Sequence, residues 1–170
     1  MAEPSGHGTL AADLDTIARQ ERALVFAAFD EHIAWSLGCR LRAVAAARAQ
    51  GVVIVIRSDD HPVFVAALPG STARNLDWAR RKANLVRITG RSSFATGLEL
   101  QRDGVTLGER FGLDEADHAA HGGSFPIRLS GRGVIGSVTV SGLPQRDDHA
   151  AVVAALCAEL GRNSDDHAMA

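Results

Sequence analysis

Residues 121–149 (HGGSFPIRLSGRGVIGSVTVSGLPQRDDH) fit a glycine-rich turn, two strands, a tight corner and a helix start into 29 positions. Residues 125–129 and 133–141 read as strands around Ser130-Gly131-Arg132, which makes them a hairpin. A second hairpin lies upstream. Residues 52–56 (VVIVI) are unbroken and β-branched, the mark of a strand covered on both faces. After Asp59-Asp60-His61-Pro62 the chain returns as a strand over 63–68. Paired hairpins imply a mainly antiparallel sheet.

Helical spacing fills the remainder. Thr9 can cap a helix over 10–24, with Leu10, Leu14, Ile17 and Leu24 on one stripe. Asp30 caps a second over 31–50, stopped by Gly51, with Ile33, Leu37, Leu41 and Val44 inward and Trp35 and Cys39 on another face. Thr72 opens a third over 73–89, carrying Leu76, Ala79, Ala83 and Val86 on one side and Trp78 and Leu85 on another. A short helix is expected over 92–102, a turn-rich connection over 104–112 and a helical turn over 114–117. Asp147 or Asp148 caps the last helix, whose stripe is Val152, Val153, Leu156 and Leu160. Helices enough to cover both faces of one sheet give a compact α/β (α+β) protein with three α/β/α layers.

A length of 170 residues suits one domain, expected over 9–162 between a disordered N-terminus (1–8) and a flexible tail (163–170). A formal charge of -2 offers no field to attract nucleic acid or an anionic membrane, so neither is an expected partner. There is no 18-residue apolar run to span a bilayer. Residues 1–8 have neither a basic start nor an apolar centre, so no secretory signal is read there. Cys39 and Cys157 stand far apart in predicted helices, which points to two buried thiols in a reduced, cytoplasmic protein.

Four groups could carry chemistry. In His121-Gly122-Gly123-Ser124 the glycines permit positive φ, and their N–H groups can form a concave anion site with His121 beside it. The alternative is a sharp bend leading into the next strand. Along 134–141, Val134, Gly136, Val138 and Val140 alternate with Ile135, Ser137, Thr139 and Ser141, giving one face a row of hydroxyls that needs partners. Between positions 74 and 91 lie Arg74, Arg80, Arg81, Lys82, Arg87 and Arg91 against one acid, Asp77. Arg80, Arg81 and Lys82 fan out at 100° intervals, so they serve a solvated face, or Arg81 or Lys82 reaches an anion near the His-Gly-Gly turn. Finally, Arg146-Asp147-Asp148-His149 supplies helix-start acids, and His149 can pair with an aspartate as an acid/base couple.

Taken together, 64–70 (FVAALPG), 77–82 (DWARRK), 91–94 (RSSF), 121–127 (HGGSFPI) and 136–149 (GSVTVSGLPQRDDH) resemble an uncharacterised family within the haem-degrading-domain superfamily, the HbpS/GlcG-like proteins. The resemblance extends from about Leu10 to Leu160. It implies a profilin-like fold, with a five-stranded antiparallel sheet between helices, assembled into dimers or larger rings. It also implies an association with haem binding or breakdown. A haem iron would then draw its axial ligand from His118 or His121, three residues apart; tyrosine is absent from the chain.

The expected function is therefore a cytoplasmic, homo-oligomeric binding module without catalysis. Its pocket for a small anionic ligand, with haem as a possible occupant, uses His121, Gly122, Gly123 and Ser124, with Arg81 or Lys82 neutralising charge. Two alternatives stand beside it. One is a haem-degrading or other small-molecule enzyme using His121 or His149 as acid/base; the other is an interaction scaffold docking a partner through Trp35 or Trp78.

Overall fold

The computed structural model describes residues 9–169. Five strands form one sheet in the order β1-β4-β5-β2-β3: β1 Val25–Phe26, β2 Val53–Ser58, β3 His61–Ala67, β4 Ser124–Leu129 and β5 Gly133–Ser141. Both hairpins share that sheet through the antiparallel β2–β5 pair. All neighbours are antiparallel except β1 and β4, which run parallel. The mainly antiparallel sheet expected from the paired hairpins is present, with one parallel pair added at the β1 edge. A two-residue strand has no period to read, and β1 forms only because β4 offers it a free edge.

The first hairpin turn is tighter than the sequence suggests. Only Asp59 and Asp60 stand outside the ladder, at φ of 45° and 66°, the left-handed pair that a two-residue type I′ turn needs. His61 and Pro62 belong to β3, where an edge position tolerates the missing N–H of proline.

Around the sheet lie α1 Leu10–Ala23, α2 Glu31–Ala47, α3 Ala73–Thr89, α4 Ser93–Asp103, α5 Leu107–Phe111 and α6 Gln145–Glu159. On one face, Leu37 and Leu41 of α2 and Val152 and Leu156 of α6 meet Ile54, Ile56, Phe125, Ile127, Val138 and Val140. On the other, Ala79 of α3 packs on Val53 and Val55. α1 and α4 close one end through Ile17, Phe94 and Leu98. Each fully buried large aliphatic contributes about 1.5–3 kcal/mol, so the α2/α6 side holds most of the apolar stabilisation.

Register decides where the hydroxyl row goes. Ser137, Thr139 and Ser141 pair directly with Arg57, Val55 and Val53, and directly opposed residues share a face. The row therefore lies beneath α3, buried, with Thr139 Oγ1 2.8 Å from Ser124 Oγ.

Several boundaries differ from expectation. α2 ends at Ala47, short of Gly51, because Ala49 already turns to φ 52°. Its buried stripe is Ala34, Leu37, Gly38, Leu41 and Ala45, while Val44 is exposed. Residues 104–112 contain α5, started by a reciprocal cap between Thr106 and Glu109. Pro144, rather than Asp147 or Asp148, precedes α6. The expected flexible tail folds back: Asp165–His167 forms a 3₁₀ turn, Gln20 Nε2 donates to the His167 carbonyl at 2.7 Å, and Met169 packs beside Ile17. Cys157 is buried, Cys39 is half-buried, and neither is bonded. The disorder expected for 1–8 lies outside the described residues.

Candidate functional site

At the C-terminal end of β5 the chain turns through Gly142 and Leu143 into α6, and the first half of α3 crosses above it. Between them opens a cleft of about 310 Å³. Its walls include Arg74, Trp78 and Lys82 of α3, His121 from the turn before β4, and Gln145 and Asp148 of α6. Arg74 stands in the first turn of α3 and Gln145 is the first residue of α6. Two helix N-termini, each equivalent to about half a positive charge, therefore converge on one opening.

His121 is exposed, and its ring meets Trp78 edge-on, with centroids 5.0 Å apart at 78°. Behind Trp78, the Arg81 guanidinium stacks 4.5 Å from the indole centroid while its Nε donates to the Glu115 carbonyl at 2.8 Å. Arg81 thus braces the aromatic wall. Partial burial of the ring, and then the positive charges of Lys82 and Arg81, hold the His121 pKa below the usual histidine range, with Glu115 opposing weakly. At neutral pH the imidazole is uncharged.

Lys82 points inward to the cleft floor. Its Nζ donates to Asp148 Oδ2 at 2.9 Å and to the Val140 carbonyl at 3.3 Å, and only 4% and 2% of the two side chains are exposed. Burial pushes the lysine down and the aspartic acid up, while their attraction opposes both. Asp148 also accepts from the Leu143 N–H at 3.0 Å and the Gly142 N–H at 3.4 Å. That is why it does not cap α6. Its carboxylate clamps the connection that leads into the helix.

The His-Gly-Gly turn is close to both cations, but its glycines face protein. The Gly122 N–H donates to Gln145 Oε1 at 3.2 Å, and a Cβ at 122 would run into the Gln145 carbonyl. Gly123, at φ 126°, comes so near the Val140 carbonyl and Lys82 Nζ that a Cβ would stand 2.7 Å from the amine. Ser124 is buried, its N–H held by Ser93 Oγ and its hydroxyl by Thr139. The concave nest expected from Gly122, Gly123 and Ser124 is corrected to a close-packed bend, with His121 as the member facing the cleft.

The other histidines sit elsewhere. His118 Nδ1 is 3.0 Å from the Asp114 carbonyl and fixes the local turn. His149 is buried between Phe94 and Phe125, with Nε2 2.8 Å from Gln20 Oε1, and burial lowers its pKa to about 3. It pairs with no aspartate and does not line the cleft, so the acid/base couple expected there is corrected. Arg80 turns outward to Asp77 and Asp117.

Sequence reasoning placed His121 and Lys82 together but missed Trp78 as a wall, Arg74 at the rim and Asp148 as the partner of the amine. One signal was available. Lys82 is the sole lysine in the chain.

Comparison with known proteins fits this architecture. The family described as "Haem degrading protein HbpS-like" matches residues 29–157. The chain belongs to that family. It is similar to a "UPF0303 protein" of Burkholderia thailandensis, 53% identical over 161 residues, covering 95% of this chain and 98% of the relative. Among solved structures, the Ybr137w protein superposes with a TM-score of 0.79 at 28% identity, over 85% of this chain and 86% of that one. A PduOC:Heme complex superposes with a TM-score of 0.66 at 17% identity, over 81% and 98%, a likeness of fold.

Haem requires an axial ligand beside a wide apolar slot. Here the two are separate. His121 lies in the α3/α6 cleft, whereas the roomier groove between α2 and α6, about 460 Å³, is lined by Leu41, Val44, Ala151 and Ala154 and offers no histidine, cysteine or methionine. One chain does not fit the macrocycle. Among the described residues no cluster of three His, Cys, Asp or Glu side chains is placed to hold a metal ion, and no helix is long and apolar enough to cross a membrane.

Proposed function

We propose that this HbpS-like protein is a cytoplasmic binding module for a small anionic molecule, seated in the cleft between α3 and α6. The observation that carries the reading is the convergence of Arg74, Lys82 and two helix N-termini on an opening walled by Trp78 and His121. A neutral imidazole can donate or accept a hydrogen bond, and the indole gives a flat apolar wall, so the site suits a small carboxylate better than a bare inorganic ion. Haem is the secondary ligand of this reading. Binding it would need a second copy to supply the apolar cover that this cleft lacks.

Calorimetric titration with oxalate, citrate and hemin tests the reading. Saturable binding of a carboxylate that disappears in Arg74→Ala and weakens in His121→Ala supports it. Carboxylate binding that survives both substitutions, or no binding of any of the three, overturns it.

We also infer self-association. Trp35 is 65% exposed, edge-on to Phe64 of the edge strand β3, whose outer side has no strand partner among the described residues. An unpaired edge beside an exposed indole invites a second copy. Light scattering that gives a monomer mass at all concentrations would favour the scaffold alternative.

A further inference from the structure

Lys82 is the one lysine of a chain with 17 arginines, and it occupies a buried position that lines the cleft. Ion pairing alone does not account for that choice, since a guanidinium pairs with carboxylates at least as well. A primary amine has one capacity that a guanidinium lacks in proteins: it can lose a proton and attack an electrophilic carbon. Its surroundings match that task. Asp148 Oδ2 stands 2.9 Å from Nζ to take and return a proton, and the lysine reaches the cleft whose walls are Trp78 and His121.

The geometry points to covalent capture, and we propose that Lys82 forms an imine with a 2-oxo acid bound in this cleft. The inference rests on the reading of the cleft as a site for small anions. It deepens that reading by naming the ligand class. The carboxylate would lie against Arg74 and the helix N-termini, which leaves the adjacent carbonyl directed at the floor.

The balance is simple. Asp148 accepts one ammonium proton, and the free amine adds to the carbonyl carbon as the C=O π pair moves onto oxygen. Two protons pass from nitrogen to that oxygen by way of Asp148, the C–O bond breaks, and water leaves. The product is a C=N iminium with one proton on nitrogen, paired with the Asp148 carboxylate. No oxidant or reductant is consumed. Burial aids the first step by disfavouring the ammonium ion.

The test incubates the full chain with pyruvate and cyanoborohydride, then maps peptides by mass. The expected result is one reduced adduct on the Lys82 peptide, with a rate that saturates in pyruvate and is lost in Lys82→Arg; the N-terminal amine, labelled without saturation, is the internal comparison. Because Lys82 has no lysine competitor, the wild-type map decides the matter even if the variant fails to fold. Labelling confined to the N-terminal amine overturns the proposal. Lactate, with a hydroxyl where pyruvate has its carbonyl, separates the two readings. A rise in melting temperature with lactate and an unmodified Lys82 with pyruvate leaves the anion cleft standing and removes the imine. No thermal effect of either acid together with no Lys82 adduct removes both.

Discussion

His149 Nε2 lies 2.8 Å from Gln20 Oε1, a contact that ties α6 to α1 inside the protein. The amide is oriented by its other end, since Gln20 Nε2 donates to the His167 carbonyl at 2.7 Å. The amide oxygen must then accept, so His149 donates from Nε2 and leaves Nδ1 as a bare buried nitrogen. Three segments distant in sequence thereby fix one tautomer.

That tautomer has a consequence for acid stability. In the unfolded chain His149 takes a proton near pH 6.5, but burial delays this to about pH 3 in the folded protein. Between those values the unfolded state binds the extra proton. The contribution is complete above pH 6.5 and is lost as pH falls toward 3, at about 1.4 kcal/mol per pH unit. Urea midpoints at pH 7 and pH 5 should therefore fall less in His149→Gln than in the wild type. Equal slopes would place the acid sensitivity elsewhere.

Removing one partner of the Lys82–Asp148 pair should be costly. Asp148→Ala leaves a buried ammonium unpaired and is expected to destabilise the fold by about 3–5 kcal/mol. The double variant Lys82→Met/Asp148→Leu should recover only part of this. The half-buried Leu143 and Gly142 N–H groups would still lose their acceptor, a loss of about 0.5–1.5 kcal/mol for each hydrogen bond. Chemical denaturation of the two variants and the wild type measures the difference.

Gly123 gives a cleaner test of the bend. Its φ of 126° and the proximity of the Val140 carbonyl leave no room for a methyl group. Gly123→Ala is expected to cost more than about 2 kcal/mol, beyond the usual range for a glycine in a surface turn. Gly131→Ala, in the β4–β5 turn with open space around it, serves as the control for positive φ alone. A similar loss in both would refute the close-packing account of the diglycine.

The sequence made the frame legible wherever one period ran for several turns. α3 occupies the 73–89 that Thr72 opens, and the alternation read over 134–141 holds in β5, where Ser137, Thr139 and Ser141 share one face. Reading failed where a tertiary partner overrides a local signal. Asp148 carries the chemistry of a helix cap, yet Lys82, 66 positions earlier, draws it inward. His149 has an aspartate beside it in sequence and a glutamine, 129 positions away, as its partner in space. The glycines of the diglycine bend advertise freedom to approach, but not what they approach. Protein backbone and ligand leave the same trace in a sequence.

His121 supplies the last prediction, because it couples the cleft to pH. Partial burial and the charges of Lys82 and Arg81 hold its pKa below the ordinary histidine value. As pH falls through that depressed pKa the imidazole gains a positive charge at the cleft wall, next to any bound anion. A bound carboxylate stabilises the charged form, so affinity should rise as pH falls, approaching at most tenfold per pH unit for one linked proton. Trp78 packs on the ring without titrating and is unchanged by the switch. Oxalate titrations between pH 7.5 and pH 5 should show tighter binding at the acid end in the wild type and a flatter profile in His121→Asn, which keeps a polar group but cannot take up the proton. An identical pH profile in the two proteins would mean that the anion lies beyond the reach of this histidine.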